Sequence, residues 1–216
     1  MKRHLLFLAA LLIVNLAASA QKKFSVYAVG FYNQENLFDT CHDEGKKDYE
    51  YLPNKGWNGM KYTNKLRNMS KALADMGTDV LPNVGCAFIG LSEVENHKVL
   101  DALVDQAPLK ARNMKYVHIE GPDRRGIDCA LLYNPSLFSV KNVKLLPYVQ
   151  ELAKDSAFFT RGFLTVRGEM AGDDVAVIVC HWPSRFSGPF YRESAARQVK
   201  VIKDSLLNVN QEMKIF

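Results

Sequence analysis

The run Ile89-Gly90-Leu91-Ser92-Glu93-Val94-Glu95-Asn96 ends an apolar stretch in two carboxylates and an amide. Hard divalent cations such as Mg²⁺ take oxygen ligands of this kind. The apolar residues 86–91 have the length of a fully buried strand, which would deliver Glu93 at its carboxyl end. A solvated acidic loop is the alternative for Glu93 taken alone. A second run, Val177-Ile178-Val179-Cys180-His181-Trp182-Pro183-Ser184-Arg185, leads a strand into a histidine, a serine and an arginine. Such a histidine can contact a phosphoryl oxygen or donate a proton, and an arginine can clamp a phosphate with two parallel hydrogen bonds. A satisfied structural histidine is the alternative for His181. Residues 24–31 read as a further strand, running into Tyr32-Asn33-Gln34-Glu35-Asn36-Leu37-Phe38-Asp39. Asp123, Arg125 and Asp128 form a fourth polar cluster beside a strand, or else a turn with a local ion pair. Together the four strand ends, at Asn33/Glu35, Glu93, Arg125/Asp128 and His181, carry the groups needed to hold Mg²⁺ and an anionic phosphodiester. A divalent metal neutralises phosphate charge and lowers the pKa of bound water.

These residues need elements to position them. The polar stretch 40–60, dotted with aromatics, lacks apolar periodicity and reads as a working loop at one rim. The spacing predicts a helix capped by Thr63, with Leu66, Met69, Leu73 and Met76 on its apolar face and Gly77 ending it. A second helix is expected over 98–106, a strand over 116–120, and a loop over 121–126. Further strands are expected over 127–133, 140–145, 159–170 and 175–182, with turn chemistry at 133–136 and a hairpin link at 171–174. A helix over 191–207 follows. The segment 213–216 starts a strand for which the sequence supplies no evident partner. Hairpins mixed with crossovers indicate an α+β or α/β sandwich more than a doubly wound sheet.

Composition sets the outer bounds. With 216 residues, 48% hydrophobic and 24% charged, and no internal repeat, the chain is a single globular domain and neither disordered nor a solenoid. Residues 1–20 have the form of a secretory signal peptide: Lys2 and Arg3, a short apolar centre, and Ala18-Ser19-Ala20 before Gln21. The expected location is therefore secreted or periplasmic, with no integral membrane segment in the mature chain. Loss of Lys2 and Arg3 with that segment lowers the net charge of +5 by two, to +3, too mild to indicate nucleic acid by itself. Cys41, Cys86, Cys129 and Cys180 form no CxxC pair, which argues against zinc, and Cys86, Cys129 and Cys180 sit beside or within apolar strands, where free cysteine behaves as a small buried hydrophobe.

The order of Tyr32-Asn33-Gln34-Glu35-Asn36-Leu37-Phe38-Asp39, Gly90-Leu91-Ser92-Glu93-Val94-Glu95-Asn96, Arg125-Gly126-Ile127-Asp128 with Leu132-Tyr133-Asn134-Pro135, and His181-Trp182-Pro183-Ser184-Arg185 resembles the metal-dependent endonuclease/exonuclease/phosphatase superfamily, in its secreted bacterial branch. The resemblance implies a deoxyribonuclease I-like four-layer α/β/β/α sandwich with the site at one rim. It implies Mg²⁺ (or Mn²⁺) held by Glu93, with Glu35 as a second acid. Asn33 and His181 are implied as catalytic, and Arg125, Ser184 and Arg185 as contacts to the substrate phosphate. The implied substrate is a phosphoester, either nucleic acid or a small phosphodiester, acted on by a monomer. Relatives continue with a Gly-Asp-x-Asn strand and a Ser-Asp-His segment that do not occur here, so residues 21–216 are expected to be the N-terminal two thirds of such a domain, incomplete at the C-terminal end. Two rival expectations follow: a noncatalytic remnant or phosphate- or metal-binding fragment, and a nucleic-acid surface at Arg124 and Arg125 without chemistry.

Overall fold

The structure is a computed structural model, and it describes residues 25–149, 151 and 159–216. The expected signal segment 1–20 lies outside these residues.

The described residues form two four-stranded sheets packed face to face. The first takes β1 (Ala28–Leu37), β2 (Cys86–Val94), β4 (Asp128–Tyr133) and β3 (Lys115–His118) in that spatial order. The second takes β5 (Ser139–Leu146), β6 (Phe163–Met170), β7 (Asp173–Cys180) and β8 (Lys214–Ile215). β1 runs parallel to β2, and β8 parallel to β7, while the other neighbours are antiparallel.

Four helices accompany the sheets: α1 (Gly59–Asp75), α2 (His97–Val104), α3 (Ala107–Ala111) and α4 (Pro189–Val209). Leu66, Leu73, Val99, Leu100, Leu103 and Leu109 of the first three pack with Ile89, Leu91, Val94, Ala130 and Leu132 on one face of the first sheet. Phe88 and Leu131 on its other face meet Leu164, Val166, Val175, Val177 and Val179 of the second sheet. α4 lies across the far face of that sheet, where Val201 and Ile202 share a hollow of about 370 Å³ with Leu146 and Phe163. The order is helix, sheet, sheet, helix, the four-layer α+β sandwich expected. β2 is covered on both faces, which is why it reads as a continuous apolar run.

The β6–β7 hairpin closes through Ala171 (φ 54°) and Gly172 (φ 84°), two left-handed residues as a type I′ turn requires. Several boundaries differ from the sequence expectation. Asn58, not Thr63, caps α1, its Oδ1 accepting from Lys61 N at 3.1 Å, so the helix starts a turn earlier and Thr63 is interior. The helix expected over 98–106 is α2, which Asn96 caps and which ends at Val104; a second short helix, α3, not expected from the sequence, follows it with Pro108 in its first turn. The C-terminal strand does have a partner: Phe216 N donates to Ala176 O and Ile178 N to Phe216 O, both at 2.9 Å, along the free edge of β7.

The largest difference concerns the acidic motifs. They do not follow their strands but lie inside them, on bulges. β2 continues through Glu93 to Val94, with a register shift against β4 between Ser92 and Val94. β1 continues to Leu37, and its residues 33–37 span the same stretch as only Ser92–Val94 of β2.

Candidate active site

Ile89 and Leu91 face the helices, and strict alternation would send Glu93 the same way. Val94 faces the helices instead, so Glu93 is the extra residue of a bulge and its side chain is re-aimed. Glu93 holds φ at 60°; Glu35 and Asn36, on the facing bulge of β1, hold 50° and 62°. Three of the five non-glycine residues with positive φ in the described chain therefore sit side by side. Such backbone costs about 1–3 kcal/mol per residue and is concentrated at functional sites.

The bulges hold one another. Asn36 N donates to Glu93 Oε2 at 3.0 Å, and Asn33 Oδ1 accepts from Glu35 N at 2.7 Å. Lys65 of α1 lies over the same bulge, its Nζ donating to Glu35 O at 2.7 Å. Burial lowers the pKa of this ammonium, against the pull of the Glu35 and Glu93 carboxylates.

His181 follows the last residue of β7 and comes to Glu93 from the second sheet, with Nε2 3.3 Å from Oε1. Burial and the Arg161 guanidinium outweigh the attraction of Glu93 and depress the imidazole pKa to about 4. The ring is therefore neutral at neutral pH, and its approach to Glu93 is a close polar contact, not an ion pair. Its Nδ1 is buried without a protein partner.

Arg161 was not singled out from the sequence, although it precedes an apolar strand as a lone charge. Its Nη1 meets Asp123 Oδ2 at 2.9 Å, and both side chains are buried. Asp123 Oδ1 accepts from Arg125 N at 2.9 Å. Asp123 is thus no exposed turn residue. The Arg125 side chain is half exposed, and its charge acts on both His181 and Tyr51. Asp128 turns away to a buried pair with His118, at 3.0 Å from Nε2, and to Gly121 N. Ser184 and Arg185 lie beyond His181 on an exposed turn, where Ser184 O accepts from Arg192. Among the described residues their side chains make no hydrogen bond or ion pair with Glu93 or His181.

The loop 40–58 closes one side. Tyr51 stacks on Phe38 with ring centroids 4.0 Å apart, and Trp57 Nε1 donates to Phe38 O and Asp39 O. Lys47 N donates to Arg124 O at 2.7 Å, which ties this loop to the one carrying Asp123 and Arg125.

The structure thus brings together Glu93, Glu35, Asn33, His181 and Arg125 around two facing bulges. Residues 28–216 match the model of the Endonuclease/Exonuclease/phosphatase family. The chain belongs to that family. Among solved structures, D. rerio TDP2 complexed with a single strand DNA product aligns over 74% of this endonuclease/exonuclease/phosphatase family chain and 54% of its own, at 12% identity and a TM-score of 0.50. A humanized D. rerio TDP2 aligns over 71% and 54% at 12% identity and a TM-score of 0.47. ANGEL2, described as a 2',3'-cyclic phosphatase, aligns over 70% and 39% at 14% identity and a TM-score of 0.44. The family chain therefore spans about half the length of these structures, or less. No curated protein matches it.

Whether a metal fits can be judged from the donors. Among the described residues no group of three or more His, Cys, Asp or Glu side chains could enclose an ion. Mg²⁺ does not need such a cage, since it is commonly held by one or two carboxylates, waters and substrate phosphate. Glu93, whose side chain is 16% exposed, and the exposed Glu35 supply oxygen donors of that kind. The His181 Nδ1, buried without a protein partner, is one further polar atom left unsatisfied on the ring that approaches Glu93.

Proposed function

We propose that this chain is a metal-dependent phosphoester hydrolase acting through Glu93 and His181, with Mg²⁺ or Mn²⁺ as its metal. The observation that carries the reading is the pair of facing bulges, whose left-handed Glu35, Asn36 and Glu93 aim a carboxylate at a neutral histidine from the other sheet. When bound, the metal neutralises phosphate charge and activates water. Glu93 would hold it, with Glu35 as the second carboxylate. The Asn33 carbonyl oxygen is engaged by Glu35 N, so its amide N–H groups are the ones left to donate to a phosphoryl oxygen. His181, uncharged at neutral pH, has a single N–H to offer the scissile phosphate and is no counter-ion. Arg125 adds positive charge at the rim, and Ser184 and Arg185 contact the flanking phosphate.

Nucleic acid is the favoured substrate. Around the site Phe186 is fully exposed, Phe159 is 54% exposed with the Arg124 guanidinium 5.6 Å from its ring centroid, and Trp182 is 39% exposed. Rings that stack bases beside arginines that meet phosphates form a surface for single strands. D. rerio TDP2, of similar fold, is described as complexed with a single strand DNA product. Secretion or export is proposed from residues 1–20.

The test is hydrolysis of bis(p-nitrophenyl) phosphate and of DNA with Mg²⁺, with chelator, and by Glu93→Ala. Turnover should require the metal and fall by at least about 10²–10³-fold in Glu93→Ala, the equivalent of the few kcal/mol of charge stabilisation a metal supplies. A folded chain that binds Mg²⁺ without turnover would instead be a phosphate- or metal-binding fragment.

A further inference from the structure

The β6–β7 ladder ends at the pair Phe163 and Cys180. Beyond it the two chains continue as Arg161-Gly162 and His181-Trp182, where an ordinary ladder would supply the next backbone hydrogen bonds. The Arg161 guanidinium takes their place. Its Nε donates to His181 O at 3.2 Å and its Nη2 to Trp182 O at 3.3 Å. Its Nη1 is anchored at 2.9 Å by Asp123 Oδ2. The Arg161 and Asp123 side chains are only 9% and 5% exposed. Asp123 in turn fixes the backbone of Arg125 through Oδ1. One planar group therefore ties the backbone that carries His181 to the loop that carries Arg125.

We propose that Arg161 is a positioning residue for the hydrolysis: with Asp123 as its anchor, it sets His181 against Glu93 by holding the carbonyls of His181 and Trp182. The assignment rests on the functional reading above. Donors on three separate nitrogens in one rigid plane are a property of guanidinium; a lysine carries its three N–H on a single nitrogen, so it would keep the charge and the partnership with Asp123 but could not hold both carbonyls in a fixed plane. A residue acting only as a buried counter-ion to Asp123 would be replaced by lysine with little loss. A positioning residue would not.

The experiment compares the unaltered chain with Arg161→Lys and Asp123→Asn. It reads kcat and KM on bis(p-nitrophenyl) phosphate with Mg²⁺, thermal unfolding, and the ¹H–¹³C correlation of the His181 imidazole, assigned by its loss in His181→Asn. The expected result is a folded Arg161→Lys protein whose kcat falls about 10–100-fold, in the range of lost supporting contacts, while KM changes less than about threefold and the His181 ring signal moves. Asp123→Asn should move the same signal in the same direction. Unchanged kcat and an unchanged His181 signal in folded Arg161→Lys would overturn the proposal. Failure of both variants to fold would assign the pair to stability alone and also overturn it. Absence of metal-dependent turnover in the unaltered chain is a different failure, of the functional reading itself, and it removes the reaction for which Arg161 is proposed.

Discussion

Glu35 and Glu93 both hold left-handed backbone, but only Glu93 is bonded through its carboxylate to the neighbouring strand. The exposed Glu35 can therefore be used to measure the strain. Glycine adopts φ near 50° without a Cβ clash, so Glu35→Gly should raise stability by about 0.5–1 kcal/mol in urea denaturation while lowering any metal affinity that Glu35 contributes. Glu95 carries a different cost. It is 3% exposed, its Oε2 accepts from Asp39 N at 2.7 Å, and its Oε1 has no partner. Burial, together with the nearby Asp39, Asp43 and Asp48 carboxylates, pushes its pKa up to about 8. An acid raised in this way binds more protons folded than unfolded between its ordinary value near 4.5 and about 8. Its contribution to stability is therefore present below that window and is lost as pH rises through it. Glu95→Gln, which can still accept from Asp39 N, should remove this slope, so that the variant gains on the parent between pH 5 and pH 8.5 in denaturant midpoint.

Among the elements, α2 is short and depends on the residue that caps it. Asn96 Oδ1 accepts from Lys98 N and Val99 N, and Asn96 Nδ2 donates to Asp43 Oδ2 at 2.8 Å. Asn96 thus caps the helix and holds the rim loop at once. Asn96→Ala should cost about 1–2 kcal/mol, the upper range for a lost cap, and should loosen residues 40–48 enough to raise their amide exchange. The bulged strands show the same economy. β1 and β2 contribute both to the core, through Leu37 and Val94, and to the candidate site, through Glu35 and Glu93, because each bulge lets one strand serve two directions.

For the molecule as a whole, the inter-sheet core is tight where the sheets face each other and open along β1 and β8. A Cβ added at Gly90 would lie 3.1 Å from Phe31 and 3.3 Å from Val179, so the sheets leave no space there. At the edge, Val29, Phe31 and Phe216 are 37%, 54% and 50% exposed. Among the described strands β1 pairs only with β2 and β8 only with β7. Unpaired edges with exposed apolar side chains favour association. Phe31→Thr replaces an exposed aromatic by a β-branched residue of good strand propensity and should lower light scattering at high concentration, with a change in unfolding free energy of under about 1 kcal/mol. No helix among the described residues is long and apolar enough to cross a membrane.

Sequence alone determined the mixed architecture, the apolar strands, the α1 core face and the polar motifs at 33–35, 93 and 181, because each is a local pattern of residue types. The loop ties were beyond it. Arg161 reaches Asp123 across 38 positions and Asn36 reaches Glu93 across 57, and neither pairing leaves a periodic trace. Bulges escape for a related reason: an alternating pattern assumes one residue per step, whereas Glu93 is diverted by an extra residue that only the register against β4 reveals. Ionisation is likewise a tertiary property. A histidine after an apolar strand could be charged or neutral, and the burial of His181 beside Arg161 decides for neutral. Residue chemistry named the groups, and the packing of two sheets decided which of them meet and in what state.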